Sequence, residues 1–211
     1  MVEHNYTLDF VAGDRRDRAI LRHIVLSLFA GMLLGGIGAV LATESVLAAV
    51  LYEPHAYVLL VVVLGRTAAG LGWAVLCSVL ATFGTVLSML VAGSFTSMDW
   101  PTSLGSGGAA INFTIVKLVA IGVLSYLAGR HDRWGDLSAG GAAGVALLGG
   151  IDRALPASAG HVPGFWPWGA LVAVLLAAGM IVSLGRGCDR LCSAAVALTL
   201  GASYFVFLAG L

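Results

Sequence analysis

The longest stretches without a charged side chain constrain this chain most. No Asp, Glu, Lys or Arg occurs between Arg66 and Asp99, or between Arg153 and Arg186. About 20 apolar residues suffice to cross the hydrocarbon core of a bilayer as a helix, which satisfies its own backbone hydrogen bonds there. Since 59% of the residues are hydrophobic and only 10% are charged, a water-soluble domain of this size would lack polar surface. The sequence therefore predicts an all-α integral membrane protein.

Apolar runs bounded by charges, prolines or glycine clusters predict seven transmembrane helices. The predicted crossings are residues 20–42, 44–64, 67–93, 108–128, 137–155, 168–185 and 191–210. The stretch LYEPHAYV (51–58) interrupts the second run, so residues 44–55 alternatively form a loop or a re-entrant segment, which leaves six crossings. Residues 1–19 are polar and lack a signal-peptide cleavage pattern, so we expect a cytoplasmic segment followed by one transmembrane domain over residues 20–211.

The arginines predict the orientation of these helices. With the N-terminus inside, the cytoplasmic segments hold Arg15, Arg16, Arg18, Arg22, Arg66, Arg130, Arg133, Arg186 and Arg190. Arg153 alone falls on the outer side, and this asymmetry is the one expected of short loops. It requires a crossing between Glu44 and Arg66. We therefore predict seven crossings with the N-terminus inside and the C-terminus outside, in a prokaryotic cytoplasmic membrane.

Small residues recur at four-residue spacing in two of the predicted helices. Gly31 and Gly35 form one such pair, and Gly140 and Gly144 form another. Pairs of this kind let helix backbones approach closely in a membrane. We interpret them as packing positions.

Several classes of function lose support from composition and motifs. The net charge is zero and no basic cluster is long, which argues against nucleic-acid binding. Cys77, Cys188 and Cys192 have neither thioredoxin-type nor complete zinc-site spacing, so we interpret them as reduced and structural. The chain has no DDxxD-like aspartate pair, no HExxH, no GxSxG and no P-loop. We therefore expect neither a metal nor a cofactor.

Two ionisable side chains fall at comparable depth in the predicted membrane. Glu53 lies near the middle of the second crossing and Lys117 near the middle of the fourth. An ionised group at the bilayer centre costs about 2.5–3.5 kcal/mol on insertion scales, so it usually faces the bundle interior and finds a partner. We predict a Glu53–Lys117 ion pair beside a kink at Pro54, with His55 about 200° around the helix from Glu53. A pair that only locks two helices, or a Glu53 in an outer loop, is the alternative.

The outer half of the predicted bundle is acidic and aromatic. Its candidate residues are Glu44, Asp99, Trp100, Asn112, Asp152 and Trp166. Aromatic side chains at this level also form interfacial belts, and Asp152 beside Arg153 is equally compatible with a snorkelling pair at a helix end. A polar path from the surface to Glu53 could run past Asn112 and Lys117.

These residues suit acid–base chemistry on a lipophilic molecule. A carboxylic acid in an apolar pocket can donate a proton near neutral pH, and aromatic faces can stabilise a developing cation. The pattern favours a metal-independent cyclase or isomerase that protonates its substrate and removes a proton at the end. The candidate catalytic residues are Glu53, Asp99, Asp152 and Glu44. The candidate substrate-binding residues are Lys117, His55, Trp100, Asn112, Trp166 and Tyr57.

With its length, seven predicted helices and isolated membrane carboxylates, the chain resembles the small integral-membrane terpene cyclases that act on prenylated substrates. The resemblance extends along most of the chain in architecture, without a diagnostic motif, and implies proton-initiated cyclisation without a metal. In that family a carboxylate late in the chain assists one in an early helix. The last predicted helix here, LCSAAVALTLGASYFVFLAG, has no acid, which leaves Asp152 as the nearest candidate.

Two other functions fit the same residues. A proton-coupled transporter of small molecules, or its substrate-binding subunit, would use Glu53 to carry a proton and Lys117 as a counter-charge. The two halves show no clear repeat, which disfavours an inverted-repeat transporter. An assembly subunit would need only packing glycines and a structural ion pair. The expected partners are the lipid bilayer, a lipophilic small molecule and either further copies of the chain or a partner subunit.

Overall fold

A computed structural model describes residues 3–96, 108–130, 132–156, 158, 160–185 and 190–209. Within these residues the protein is helical, with 87% helix and no strand. The helices are α1 (Glu3–Glu44), α2 (Val46–Tyr52), α3 (His55–Thr67), α4 (Leu71–Thr96), α5 (Gly108–Leu127), α6 (Arg133–Ala154), α7 (Trp168–Leu184) and α8 (Arg190–Ala209). The all-helical prediction is confirmed.

Hydropathy separates these helices into groups. Four segments are long and apolar enough to span a membrane: Asp17–Glu44, Val46–Thr67, Leu71–Ser94 and Arg190–Leu208. Two shorter apolar helices cover Asn112–Leu127 and Trp168–Leu184. The described part of the chain is therefore a helical bundle with four candidate membrane-spanning segments. Six of the seven predicted crossings each coincide with one helix, and the second, residues 44–64, falls on α2 and α3. α1 already begins at Glu3, inside the predicted polar segment.

The helices pack with α1 beside α4, α3 beside α5, and α6 among α5, α7 and α8. This arrangement explains why α6 is built largely from glycine and alanine. Nine of its residues are buried, and small side chains let three neighbours approach at once. Gly140 of α6 faces the backbone of Ser193, and Gly35 of α1 faces the backbone of Thr85. The predicted packing role of these glycines is confirmed.

The second predicted crossing is broken rather than kinked. α2 ends at Tyr52, Glu53 follows in an extended conformation, and Pro54 caps the start of α3. Because proline has no N–H, it cannot continue the hydrogen bonds of α2. The carbonyl of Pro54 then accepts hydrogen bonds from the backbone N–H groups of Tyr57 and Val58, both at 3.1 Å. The break therefore places Glu53 on non-helical backbone between two helices.

Charged residues mark two ends of the bundle. At the acidic end, which carries Glu44 and Asp152, a Cβ at Gly164 of the α6–α7 connection would lie 4.0 Å from the Val46 side chain. At the basic end, which carries Arg66 and Arg130, a Cβ at Gly129 would lie 3.9 Å from the Arg66 guanidinium. The connection between α6 and α7 folds over the acidic end: the Val162 N–H donates to the Arg153 carbonyl at 3.1 Å, and the Phe165 side chain is completely buried. This connection covers the side chains described next.

Candidate functional site

Glu53 is the most deeply buried charged side chain among those described. It is 4% exposed, and the Tyr57 hydroxyl donates a hydrogen bond to its Oε1 at 3.1 Å. Glu53 precedes α3 on extended backbone and Tyr57 lies in the first turn of that helix, where it is itself 5% exposed. On the α1 side, Gly38 packs against these two side chains. A Cβ at this position would lie 2.7 Å from Glu53 Oε1 and even closer to the Tyr57 hydroxyl oxygen. The carboxylate is thus held in a tightly packed place.

Tyr57 is held in turn by aromatic packing. Its ring meets that of Tyr52 edge to face, with 6.0 Å between the ring centroids and 89° between the planes. The Tyr52 hydroxyl donates to the Leu34 carbonyl of α1 at 3.0 Å. Because each ring has one apolar face and one hydrogen-bonded hydroxyl, the pair fixes α2 and α3 against α1 across the helix break.

Arg153, in the last turn of α6, brings the opposite charge to Glu53. Its guanidinium interacts electrostatically with Glu53 and Asp152. Burying a carboxylate or a guanidinium alone is costly, and pairing offsets that cost. Because Arg153 interacts with Glu53 as well as with Asp152, the two α6 residues do not form only a snorkelling pair at a helix end. Sequence reasoning missed this role. The sequence contained one indication of it: Arg153 is the sole arginine outside the predicted cytoplasmic segments.

Lys117 of α5 pairs with Asp152. Lys117 Nζ lies 3.8 Å from Asp152 Oδ2, and the two side chains are 20% and 15% exposed. The same ammonium lies 4.5 Å from the centroid of the Phe113 ring, in a cation–π contact. The Tyr204 hydroxyl of α8 donates to Asp152 Oδ1 at 3.2 Å. Asp152 thus joins α5, α6 and α8.

The predicted Glu53–Lys117 ion pair is wrong. Comparable depth along two helices says nothing about which sides of those helices face each other. The end of α6 supplies Asp152 as the partner of Lys117 and the charge of Arg153 beside Glu53. The four groups Glu53, Arg153, Asp152 and Lys117 form one cluster with two charges of each sign, hereafter the charge cluster.

Hydrogen bonds of the α6–α7 connection hold the last turn of α6, which carries Asp152 and Arg153. The Ser158 hydroxyl bonds to the carbonyls of Asp152 and Leu155. Together with the contact between Val162 and Arg153, this fixes the chain directly after the two charged residues. The connection therefore orients Asp152 and Arg153 as well as covering them.

His55 lies beside the charge cluster at the start of α3. Its Nδ1 is 3.1 Å from the Leu51 carbonyl, and its ring stacks on Phe165 with 6.1 Å between centroids and 16° between planes. The residue is 5% exposed, and Nε2 makes no hydrogen bond within the described part of the chain, although the Gly169 backbone lies near the ring. His55 is therefore held between the end of α2, the Phe165 ring and the first turn of α7, next to the charge cluster.

The other predicted site residues do not join the cluster. Glu44 and Asn112 are exposed, and Trp166 is 71% exposed. Asp99 and Trp100 lie outside the described residues. Of the predicted aromatic residues, Tyr57 lies against Glu53. The other aromatic side chains near the charges are Tyr52, Phe113, Phe165 and Tyr204, which were not among the candidate site residues.

Among the residues that the structure describes, no three or more potential metal ligands lie close enough together to hold a metal ion. Comparisons with known proteins identify no relative: no family model, no curated protein and no solved structure matches the chain. Function therefore has to be argued from the geometry of the charge cluster.

Proposed function

We propose that the protein crosses a prokaryotic cytoplasmic membrane seven times and binds a small ionisable solute at the charge cluster, as a proton-coupled transporter or its substrate-binding subunit. The observation that carries this proposal is the burial of Glu53, on non-helical backbone, among charges of both signs. In this topology the acidic end faces outward and the basic end faces the cytoplasm, following the arginine asymmetry.

Seven crossings require α6 to span the membrane although it is not among the apolar candidates. Its central segment, residues 137–151, has no charged side chain. Because α5, α7 and α8 surround it, α6 has little contact with lipid and does not need a hydrophobic surface on every side. The short apolar helices α5 and α7 then complete the count.

The helix break favours transport over cyclisation. Non-helical backbone at membrane depth is tolerated where it is buried in protein or lines a cavity, and broken helices are typical of transporter binding sites. A cyclase would need an aromatic-lined apolar pocket around its acid. Here Glu53 is instead surrounded by Tyr57, Arg153 and the packed backbone at Gly38.

The balance of charges suggests the class of solute. A molecule that carries both a carboxylate and an amine could place its carboxylate against a cation of the cluster and its amine against a carboxylate of the cluster. Every buried charge would then keep a partner of opposite sign. The Lys117–Asp152 pair is 20% and 15% exposed, so it is the part of the cluster that a solute would reach first. Glu53 and His55 lie deeper, where a proton could accompany the solute.

A second function, the acid–base enzyme, is favoured by a separate observation. Each carboxylate of the cluster accepts a hydrogen bond from a tyrosine hydroxyl, Tyr57 on Glu53 and Tyr204 on Asp152. Such pairs could exchange protons with a lipophilic substrate that enters from the membrane. Glu53 would then be the donor in a metal-independent cyclisation or isomerisation.

Solute binding tests the first proposal. Purified protein is heated in detergent with a panel of amino acids and related zwitterions, and the shift in melting temperature is measured. A bound solute should stabilise the wild type and the control Glu44→Gln, whose side chain is exposed, but not Glu53→Gln or Asp152→Asn. Stabilisation that is unchanged in both cluster variants would contradict the proposed site.

Turnover of lipophilic substrates separates the two functions. Membranes containing the protein are incubated with prenylated quinone and phenol analogues, and products are detected by mass spectrometry. A product that forms with the wild type and is lost with Glu53→Gln, in the absence of any zwitterion effect, would establish the enzyme and refute the transporter.

A further inference from the structure

A second site lies at the basic end of the bundle, away from the charge cluster. A cleft of about 220 Å³ opens between the inner part of α1, the α3–α4 connection and the first turns of α4. Its lining includes Ile20, His23, Ile24, Thr67, Trp73 and Cys77. A water molecule in the liquid occupies about 30 Å³, so the cleft has room for a headgroup or for the first part of an acyl chain.

The polar lining of this cleft offers one unused group. The Thr67 hydroxyl donates to the Val63 carbonyl at 2.7 Å, and the Cys77 thiol interacts with Ser27. His23 Nε2, by contrast, is buried and has no hydrogen-bond partner in the part of the chain that the structure describes. Buried ring nitrogens normally find a partner, so His23 can donate to an oxygen that enters the cleft.

The surroundings of the cleft favour an anion attached to an apolar chain. Arg22 and Arg66 neighbour His23 and Thr67 in sequence, and both are exposed at this end of the bundle. No carboxylate is among the lining residues. An arginine near the surface of an anionic leaflet adds about 1 kcal/mol of attraction to its lipids.

The apolar lining continues the cleft toward the membrane. Ile20 and Ile24 are one turn apart on α1, so they line the same side. Trp73, 38% exposed, stands opposite them in the first turn of α4, and tryptophan is favoured at the level of lipid headgroups. An acyl chain could therefore lie along the outer surface of α1 and α4 beside the cleft while its headgroup stays near the arginines.

We propose that this cleft binds one anionic phospholipid, with His23 donating to a phosphate oxygen and the glycerol end of the acyl chains against Ile20, Ile24 and Trp73. The site is separate from the charge cluster; it rests on the membrane topology of the proposed function but not on the solute that the cluster binds. It would anchor the inner part of α1 against α4 through a lipid.

Native mass spectrometry of the detergent-purified protein tests this site. The protein is titrated with phosphatidylglycerol or with phosphatidylcholine of the same acyl chains. The wild type should retain one phosphatidylglycerol in preference to phosphatidylcholine. His23→Ala should weaken the binding of both lipids about tenfold, as expected for the loss of one charge-assisted hydrogen bond to a phosphate that both carry. The preference for phosphatidylglycerol, which depends on its net charge near Arg22 and Arg66, should remain. The control is His161→Ala, which alters an exposed histidine at the opposite end.

A second variant keeps the test decisive if His23→Ala fails to fold. Ala19 is exposed and also lines the cleft, so Ala19→Phe should fill the space without disturbing packing. It should reduce phosphatidylglycerol binding while leaving the melting temperature of the lipid-free protein unchanged. Equal binding of the two lipids, unchanged binding in both cleft variants, or equal stabilisation by inorganic phosphate alone would overturn the proposal.

Discussion

A single methyl group at Gly38 should loosen the charge cluster. A Cβ at this position would lie 2.7 Å from Glu53 Oε1, well inside van der Waals contact, and the tyrosine hydroxyl on the other side blocks an easy movement. Gly36, two residues earlier on the same helix, provides the control, because a Cβ there meets nothing within 4 Å. Gly38→Ala and Gly36→Ala therefore differ in their contacts while sharing the same change in helix propensity.

The magnitude follows from two effects. Replacing glycine by alanine in a helix stabilises it by up to about 1 kcal/mol, and this gain is common to both variants. Inserting a methyl group into a well-packed interior costs about 1–3 kcal/mol, and only Gly38→Ala pays this cost. The two variants should therefore differ by about 1–3 kcal/mol, with Gly38→Ala the less stable.

Thermal unfolding of the purified variants in detergent measures this difference. For a chain of this length, about 2–4 °C in melting temperature corresponds to each kcal/mol, so the two variants should lie roughly 2–12 °C apart. Equal melting temperatures would show that Glu53 and Tyr57 are not packed against α1, and the geometry of the charge cluster would have to be abandoned.

Two further predictions test the contacts within the cluster. Tyr57→Phe should destabilise the protein by about 1.5–3 kcal/mol, because it leaves a buried carboxylate oxygen without its donor, whereas Tyr204→Phe, at a partly exposed contact, should cost less than about 1 kcal/mol. Equal effects in thermal unfolding would contradict the difference in burial. Lys117→Met should couple with Asp152→Asn by at least about 0.5 kcal/mol in a double-mutant cycle, and should be additive with Glu53→Gln. The reverse result would restore the pairing predicted from the sequence alone.

The helices were predictable because their signal is local. Every predicted crossing is helical in the structure, and Pro54 marked the place where the second one divides into α2 and α3. Glu53 was predicted as buried for an equally local reason: a carboxylate inside an apolar segment has to find protein neighbours rather than lipid. The close packing of Gly35 and Gly140 followed from residue size.

The partners of the buried charges were not predictable in this way. Lys117 and Asp152 belong to different helices, and their contact depends on the packing of α5 against α6. The role of Arg153 depends on the connection that folds back over the end of α6 and fixes its last turn.

By itself, the sequence determined which segments leave water, because the free energy of transferring a side chain from water to an apolar medium depends on the residue and its immediate neighbours. Only the tertiary structure decided that Glu53 lies beside Arg153 and that Lys117 lies beside Asp152. The physical reason is that electrostatic energy depends on distances between helices, and those distances are set by how glycine and alanine surfaces fit together across the bundle.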